Sequence, residues 1–173
     1  LVHSPGPEFS QILPNHITPA LREASGRWQK NPDYLLYDDL LDPEALCAEH
    51  RVLVDVLASQ CGRSNVVQVL SLAADVLNLP GGRERLLDEL RKASSVPDEV
   101  ERFADLLVGA DAEQLIQTLM TGLSGEERIF QNPAPNMMFA RDLMAVVGRR
   151  IVLPYARHRA RERDMAIART VLK

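Results

Sequence analysis

"NPAPNMMFARDLMAVVGRRIVLP", residues 132–154, decides how the chain reads. Before it, residues 73–127 carry helical patterning throughout. Within it, "MAVVG" and "RIVLP" are short β-branched runs around Gly148-Arg149-Arg150, which predicts a strand hairpin. The chain is therefore expected to be α/β rather than all-helical, with helix dominating by residue count. The same stretch sets Asn136 and Asp142 on either side of Met137, Met138 and Phe139. On the residues alone the stronger reading is local: Asn136, after Pro135, makes a turn, and Asp142 pairs with Arg141 or caps a turn. The other reading is a binding one. An asparagine amide both donates and accepts, which suits the backbone of an amino-acid ligand, and an aspartate can grip a planar guanidinium through two oxygens.

Working outward, "DAEQLIQTLMTG" (111–122) is the cleanest helix, with Asp111 as cap, Gln114 completing a capping box and Gly122 as stop. Asp42-Pro43-Glu44 opens another, with Leu46, Leu53 and Leu57 at helical spacing and Gly62 ending it. Breaks at Pro80-Gly81-Gly82, Ser94–Pro97 and Gly109–Asp111 divide residues 73–127 into a bundle of three or four short helices. "LVHS" (1–4) and "NVVQVLSL" (65–72) read as strands. Residues 10–34 read as a long loop with one helical turn near Pro19–Ala24, and "ARERDMAIARTVLK" (160–173) as a final helix. The organisation that follows is a first strand-loop-helix-strand module over 1–72, a helical insertion over 73–130, and a return to the first architecture over 131–173. The chain opens without methionine and ends inside a helix, so it reads as part of a longer protein.

Composition narrows the function classes. The 173 residues are 46% hydrophobic and 25% charged, as in a globular protein. A net charge of −4 argues against a dedicated nucleic-acid binder, and no apolar run approaches membrane-spanning length. Cys47 and Cys61 lack CxxC spacing, which fits a reducing compartment, and the cytoplasm is the expected location. Both thiols read as small core residues. The histidines (3, 16, 50, 158) are scattered, so no metal and no cofactor are expected. Phosphate-loop, zincin and serine-hydrolase motifs are absent. The arginine-dense tail from Arg149 to Arg169 is interleaved with Glu162 and Asp164, and reads as a solvated helix face with internal ion pairs. One of those arginines could still clamp a carboxylate through its fork.

"PAPNMMFARD" resembles the "PxPNxxFTRD" signature of arginine deiminases, in the guanidino-group-modifying superfamily. "LVHSPGPEF", "LLYDD" (35–39) and "AEHRVLVDVL" are similar to the segments that open that family, and a helical insertion precedes the signature as it does there. The resemblance spans essentially all 173 residues but under half of a complete family member. It implies an incomplete pentein-type α/β-propeller carrying an inserted helical bundle. It implies Asp142 as the catalytic-site acid that binds the substrate guanidinium. Asn136 and Arg161 would hold the α-carboxylate end, and Leu36 and Phe139 would be apolar walls. The implied reaction is L-arginine plus water to L-citrulline plus ammonia. The family's nucleophilic cysteine, its histidine and two further acids fall in segments not present here, so the expected contribution is part of the substrate wall. The departures are a longer stretch before "YLLYDD", Ala140 in place of the usual threonine, and a more basic "LPYARHRARE". Alternatives are a sister enzyme (an arginine dihydrolase or amidinotransferase) or a non-catalytic arginine-binding or interaction homologue. The expected partner is L-arginine, with no nucleic acid and no membrane. A homo-oligomer or association with the remainder stays open.

Overall fold

The apolar spacing of the middle of the chain produces four consecutive helices, and a fifth and sixth flank them. In a computed structural model describing residues 1–172, helix makes up 55% and strand 10%. The order is β1 (Ala20–Arg22), β2 (Trp28–Lys30), α1 (Pro43–Cys61), α2 (Val69–Leu77), α3 (Gly82–Ala93), α4 (Pro97–Leu106), α5 (Ala112–Thr121), β3 (Leu123–Ser124), β4 (Glu127–Arg128), β5 (Ala145–Val147), β6 (Arg150–Val152) and α6 (Glu162–Leu172). The strands pair only as three antiparallel hairpins, β1–β2, β3–β4 and β5–β6. Among the described residues they join into no larger sheet. The final helix was expected to include Lys173, which lies outside the described residues.

Several helix ends are set as the sequence dictates. Asp42 caps α1, its carboxylate accepting from the Glu44 and Ala45 N–H groups, with Pro43 in the first position. At α5 the Gln114 N–H donates to Asp111 Oδ1 at 2.8 Å and the Asp111 N–H donates to Gln114 Oε1 at 3.0 Å, a complete capping box. Gly122 ends α5 at φ +81°, where a Cβ would come within 2.6 Å of the Phe130 carbonyl oxygen. The β5–β6 hairpin turns on Gly148-Arg149, with Val147 opposite Arg150. Gly148 at φ +61° supplies the positive φ that so short a turn requires.

The main core is assembled from Leu86 and Leu90 of α3, Phe103 of α4, Leu115 and Leu119 of α5, and Met165 to Ala168 of α6. Met137 and Leu143, from the segment before the β5–β6 hairpin, enter the same core and are fully buried. Each such side chain contributes about 1.5–3 kcal/mol of burial. The core therefore fixes residues 137–143 against the helices. A second cluster of Phe9, Leu35 and Tyr37 packs with Ile12, Leu46, Met138 and Ala160. It lies beneath the segment that the sequence singles out.

Three local expectations change. "NVVQVLSL" is a strand for one residue only: Val2 bridges Gln68 in parallel, and the chain then enters α2 at Val69. Val69, Ala73 and Leu77 are all buried at a spacing of four, and that helical face outweighs the β propensity of the valines. "LVHS" contributes only the matching bridge at Val2. Residues 19–24 hold strand β1 instead of a helical turn, because Ser25-Gly26, with Gly26 at φ +82°, folds the chain back onto β2.

Candidate functional site

The segment 132–143 is two successive 3-10 turns, Pro135–Met138 and Ala140–Leu143, with Phe139 at the junction. Pro135 opens the first turn, and Asn136 accepts the Phe139 N–H on its carbonyl at 3.0 Å. Asn136 is buried, and its Nδ2 donates to the Leu35 carbonyl at 2.8 Å and, at 3.5 Å, to the Ala160 carbonyl. The Tyr37 hydroxyl donates back to the Pro135 carbonyl at 3.3 Å. Two segments about 100 residues apart are thus stitched together by reciprocal bonds. Burial holds the Tyr37 phenol well above its usual range, so it remains a neutral donor.

Leu36 lies between the buried Leu35 and Tyr37 and is the only non-glycine residue at positive φ (65°) among the described residues. A left-handed L-residue costs roughly 1–2 kcal/mol. That step lets Leu35 and Tyr37 both enter the core while Leu36 stays half-buried at the surface. Phe139 is 41% exposed, and its ring lies 5.9 Å from that of Tyr37. The two expected apolar walls, Leu36 and Phe139, therefore flank one aromatic cluster.

Asp142 faces solvent beyond Phe139, its N–H donating to the Phe139 carbonyl at 2.9 Å. Its charge partner is Arg161, not Arg141: Nη1 donates to Asp142 Oδ2 at 3.5 Å. The residues expected at opposite ends of a ligand are each other's counter-ion. Arg161 is mostly buried, and its Nε stands 2.8 Å from Oδ2 of Asp164, which has no exposed surface. That contact is one of charge without an aligned hydrogen bond, because Arg161 Nε and Nη2 and both Asp164 oxygens have no hydrogen-bond partner. Burial raises the Asp164 pKa to about 6, against the opposing pull of Arg161 and Arg163.

The tail is less solvated than its charge pattern implies. Arg163 donates to the carbonyls of Leu119, at 2.9 Å, and of Asn132, and lies over the Phe130 ring at 4.4 Å. Burial lowers its pKa to about 10, which leaves it charged at neutral pH. Arg159 bridges Glu99 at 2.9 Å and Asp33 at 3.7 Å, and Arg169 donates to the Leu153 and Pro154 carbonyls. Arg149, Arg150 and Arg157 are exposed. A further buried pair, His3 with Glu8 at 3.0 Å, shares the Glu8 oxygen with the Gly6 N–H. Sequence reasoning missed His3, Glu8, Tyr37 and Asp164. The available signal for Asp164 was its position three residues after Arg161 at the start of a helix, where side chains meet. Cys47 donates to the Pro5 carbonyl and Cys61 to the Leu57 carbonyl. No group of three metal-ligating side chains occurs among the described residues, and none of their helices is long and apolar enough to cross a membrane.

No family model matches the chain. Curated relatives do. An arginine deiminase of Listeria monocytogenes serotype 4a (strain HCC23) is 27% identical over 191 aligned positions, covering 100% of this chain and 42% of the relative. One from Listeria innocua serovar 6a is also 27% identical, with 43% of the relative covered. One from Metamycoplasma hominis is 24% identical, again over the whole chain and 41% of the relative. Over its whole length the chain is similar to these proteins named arginine deiminase. It spans about two fifths of the length of the curated relatives it matches. The stretch "PAPNMMFARD" falls where Asn136, Phe139, Asp142 and Arg161 come together.

Proposed function

We propose that the chain supplies part of the substrate-binding wall of an arginine deiminase-like hydrolase that converts L-arginine and water to L-citrulline and ammonia. The observation that carries this is the ion pair between Asp142 and Arg161 beside the exposed Phe139 ring. L-Arginine bears a guanidinium at one end and a carboxylate at the other. It can replace one protein–protein ion pair by two protein–ligand pairs, guanidinium on Asp142 and carboxylate on Arg161, with its methylenes along Phe139 and Leu36. Asn136 stands beside Arg161 at the carboxylate end and anchors the loop at Leu35.

Neither thiol is offered as nucleophile. Each is bonded to a main-chain carbonyl on α1 or beside it. The attacking group, the general acid/base and the remaining acids belong to the part of the protein outside this chain. On this reading the fold is an incomplete α/β-propeller, with modules over 1–72 and 131–173 separated by the helical insertion over 73–130. The cytoplasm is its location, and its strands depend on the remainder for a larger sheet.

The test is arginine binding by calorimetry to the complete protein carrying Asp142→Ala or Arg161→Ala. Either substitution is expected to weaken binding by about 2–5 kcal/mol, because it strands a charge on the ligand. Unchanged affinity in both variants would sink the reading. Citrulline formation by the complete protein separates a deiminase from a binder of arginine that does not hydrolyse it.

A further inference from the structure

Arg161 and Arg163 stand two residues apart, yet only Arg163 has its donors occupied. Arg161 keeps Nε and Nη2 without a hydrogen-bond acceptor although both atoms are buried. A buried unpaired donor of this kind is expensive unless something else compensates it. Here the compensation comes from two carboxylates on opposite sides. Asp142, at the surface, touches Nη1, and Asp164, fully buried in the first turn of α6, touches Nε. If a ligand guanidinium draws Asp142 away, Asp164 becomes the only acid in contact with the Arg161 cation.

We propose that Asp164 is a positioning residue for the arginine site: by its charge behind Nε it holds the Arg161 fork in place with Nη1, the nitrogen that meets Asp142, presented to the ligand's carboxylate. The inference rests on the reading of Arg161 as the carboxylate holder. It adds a residue that never touches the ligand and whose protonation state governs the one that does.

The groups around Asp164 define its titration. Arg161 and Arg163 from its own stretch and His3 from the N-terminal segment favour the charged carboxylate. The Tyr37 phenol, on the loop below, stays neutral. Burial outweighs these attractions and lifts the Asp164 pKa to about 6. Protonation removes the charge behind Nε, and the site then loses the form that binds. At pH 5 about a tenth of the carboxyl remains ionised, so apparent affinity for arginine falls about tenfold from its value above pH 7.

The experiment is calorimetric titration of L-arginine into the complete protein between pH 5 and 8, with the wild type, Asp164→Asn, Asp164→Glu and Arg161→Ala. The wild type should show a fall in affinity with a midpoint near the Asp164 pKa. Asp164→Asn should bind weakly, by about tenfold or more, with no pH dependence over this range. Asp164→Glu should restore part of both. A midpoint originating at any other group would persist in Asp164→Asn, and its persistence there overturns the assignment. A flat wild-type profile overturns the proposal without any variant having to fold. If Arg161→Ala loses binding while Asp164→Asn binds and titrates like wild type, the positioning role alone fails. If Arg161→Ala binds like wild type, the arginine-site reading fails, and this inference with it.

Discussion

The seats of Arg163 and Arg161 are built from the same stretch of chain and differ in kind. Arg163 is enclosed by carbonyls at the end of α5 and in the loop before Pro133, with an aromatic ring against its face. Arg161 lies between two acids, with two buried nitrogens that bond to nothing. The first arrangement is complete as a structural link between the helical core and α6. The second leaves Nε and Nη2 without a hydrogen-bond acceptor, and on the proposed reading a ligand's carboxylate joins it. Spacing and charge make the two arginines look alike. What separates them is whether the surrounding backbone has already answered their donors.

Breaking the structural seat should have the larger effect on stability. Arg163→Ala leaves the carbonyls of Leu119 at the end of α5 and of Asn132 in the following loop without their donor, and denaturant unfolding should show a loss of about 3–5 kcal/mol. A loss below about 1 kcal/mol would erase the distinction between the two seats.

The second test uses pH. Asp164 has a folded pKa of about 6, above its ordinary value of 3.8, so the native state holds this proton more tightly than the unfolded chain. Its contribution to stability is therefore full below about pH 4 and is lost as pH rises to about 6, by at most roughly 3 kcal/mol at 1.4 kcal/mol per unit. Burial lowers the pKa of His16 and His50, which act with the opposite sign. The quantity to follow is thus the difference in unfolding free energy between wild type and Asp164→Asn. A difference that does not fall between pH 4 and 6 would contradict the burial of an ionised Asp164.

Asn136→Ala removes the donor that holds the Leu35 carbonyl and with it the left-handed step at Leu36. Unfolding should show a loss of about 1–3 kcal/mol, with arginine affinity reduced as the wall loosens. Smallest is Asp111→Ala, about 1 kcal/mol through the lost cap of α5, with arginine binding unchanged. Loss of binding in that variant would mean that the helical core and the site are coupled more closely than the two seats suggest.

The sequence made the helical part legible because its signals are local. Asp42, Asp111, Gln114 and Gly122 act within one turn of their own position, and each does in the structure what its residue type requires. The misread segments are those where a distant partner decides. Val66 to Leu72 have strand propensity, but the core needs a helical face at Val69, Ala73 and Leu77. In the site, Asn136, Phe139 and Asp142 stood out as a motif. Their neighbours Tyr37 and Asp164 did not, because their roles depend on contacts that no spacing rule reports: Tyr37 to Pro135, and Asp164 in a closed pocket of charge. Arg163 and Arg169 of the tail misled for the same reason, since their acceptors are main-chain carbonyls, which composition cannot show.

Leu36 carries a consequence for anyone seeking a sturdier version of this protein. Glycine there would relieve about 1–2 kcal/mol of left-handed backbone strain, offset in part by the freedom glycine adds to the unfolded chain. A screen that rewards heat resistance alone would be drawn to position 36. It would gain robustness by deleting an apolar surface that a ligand's methylenes would lie against. On the proposed reading, durability and recognition pull in opposite directions at a single residue, and selection for both should leave a bulky side chain in a conformation it does not favour.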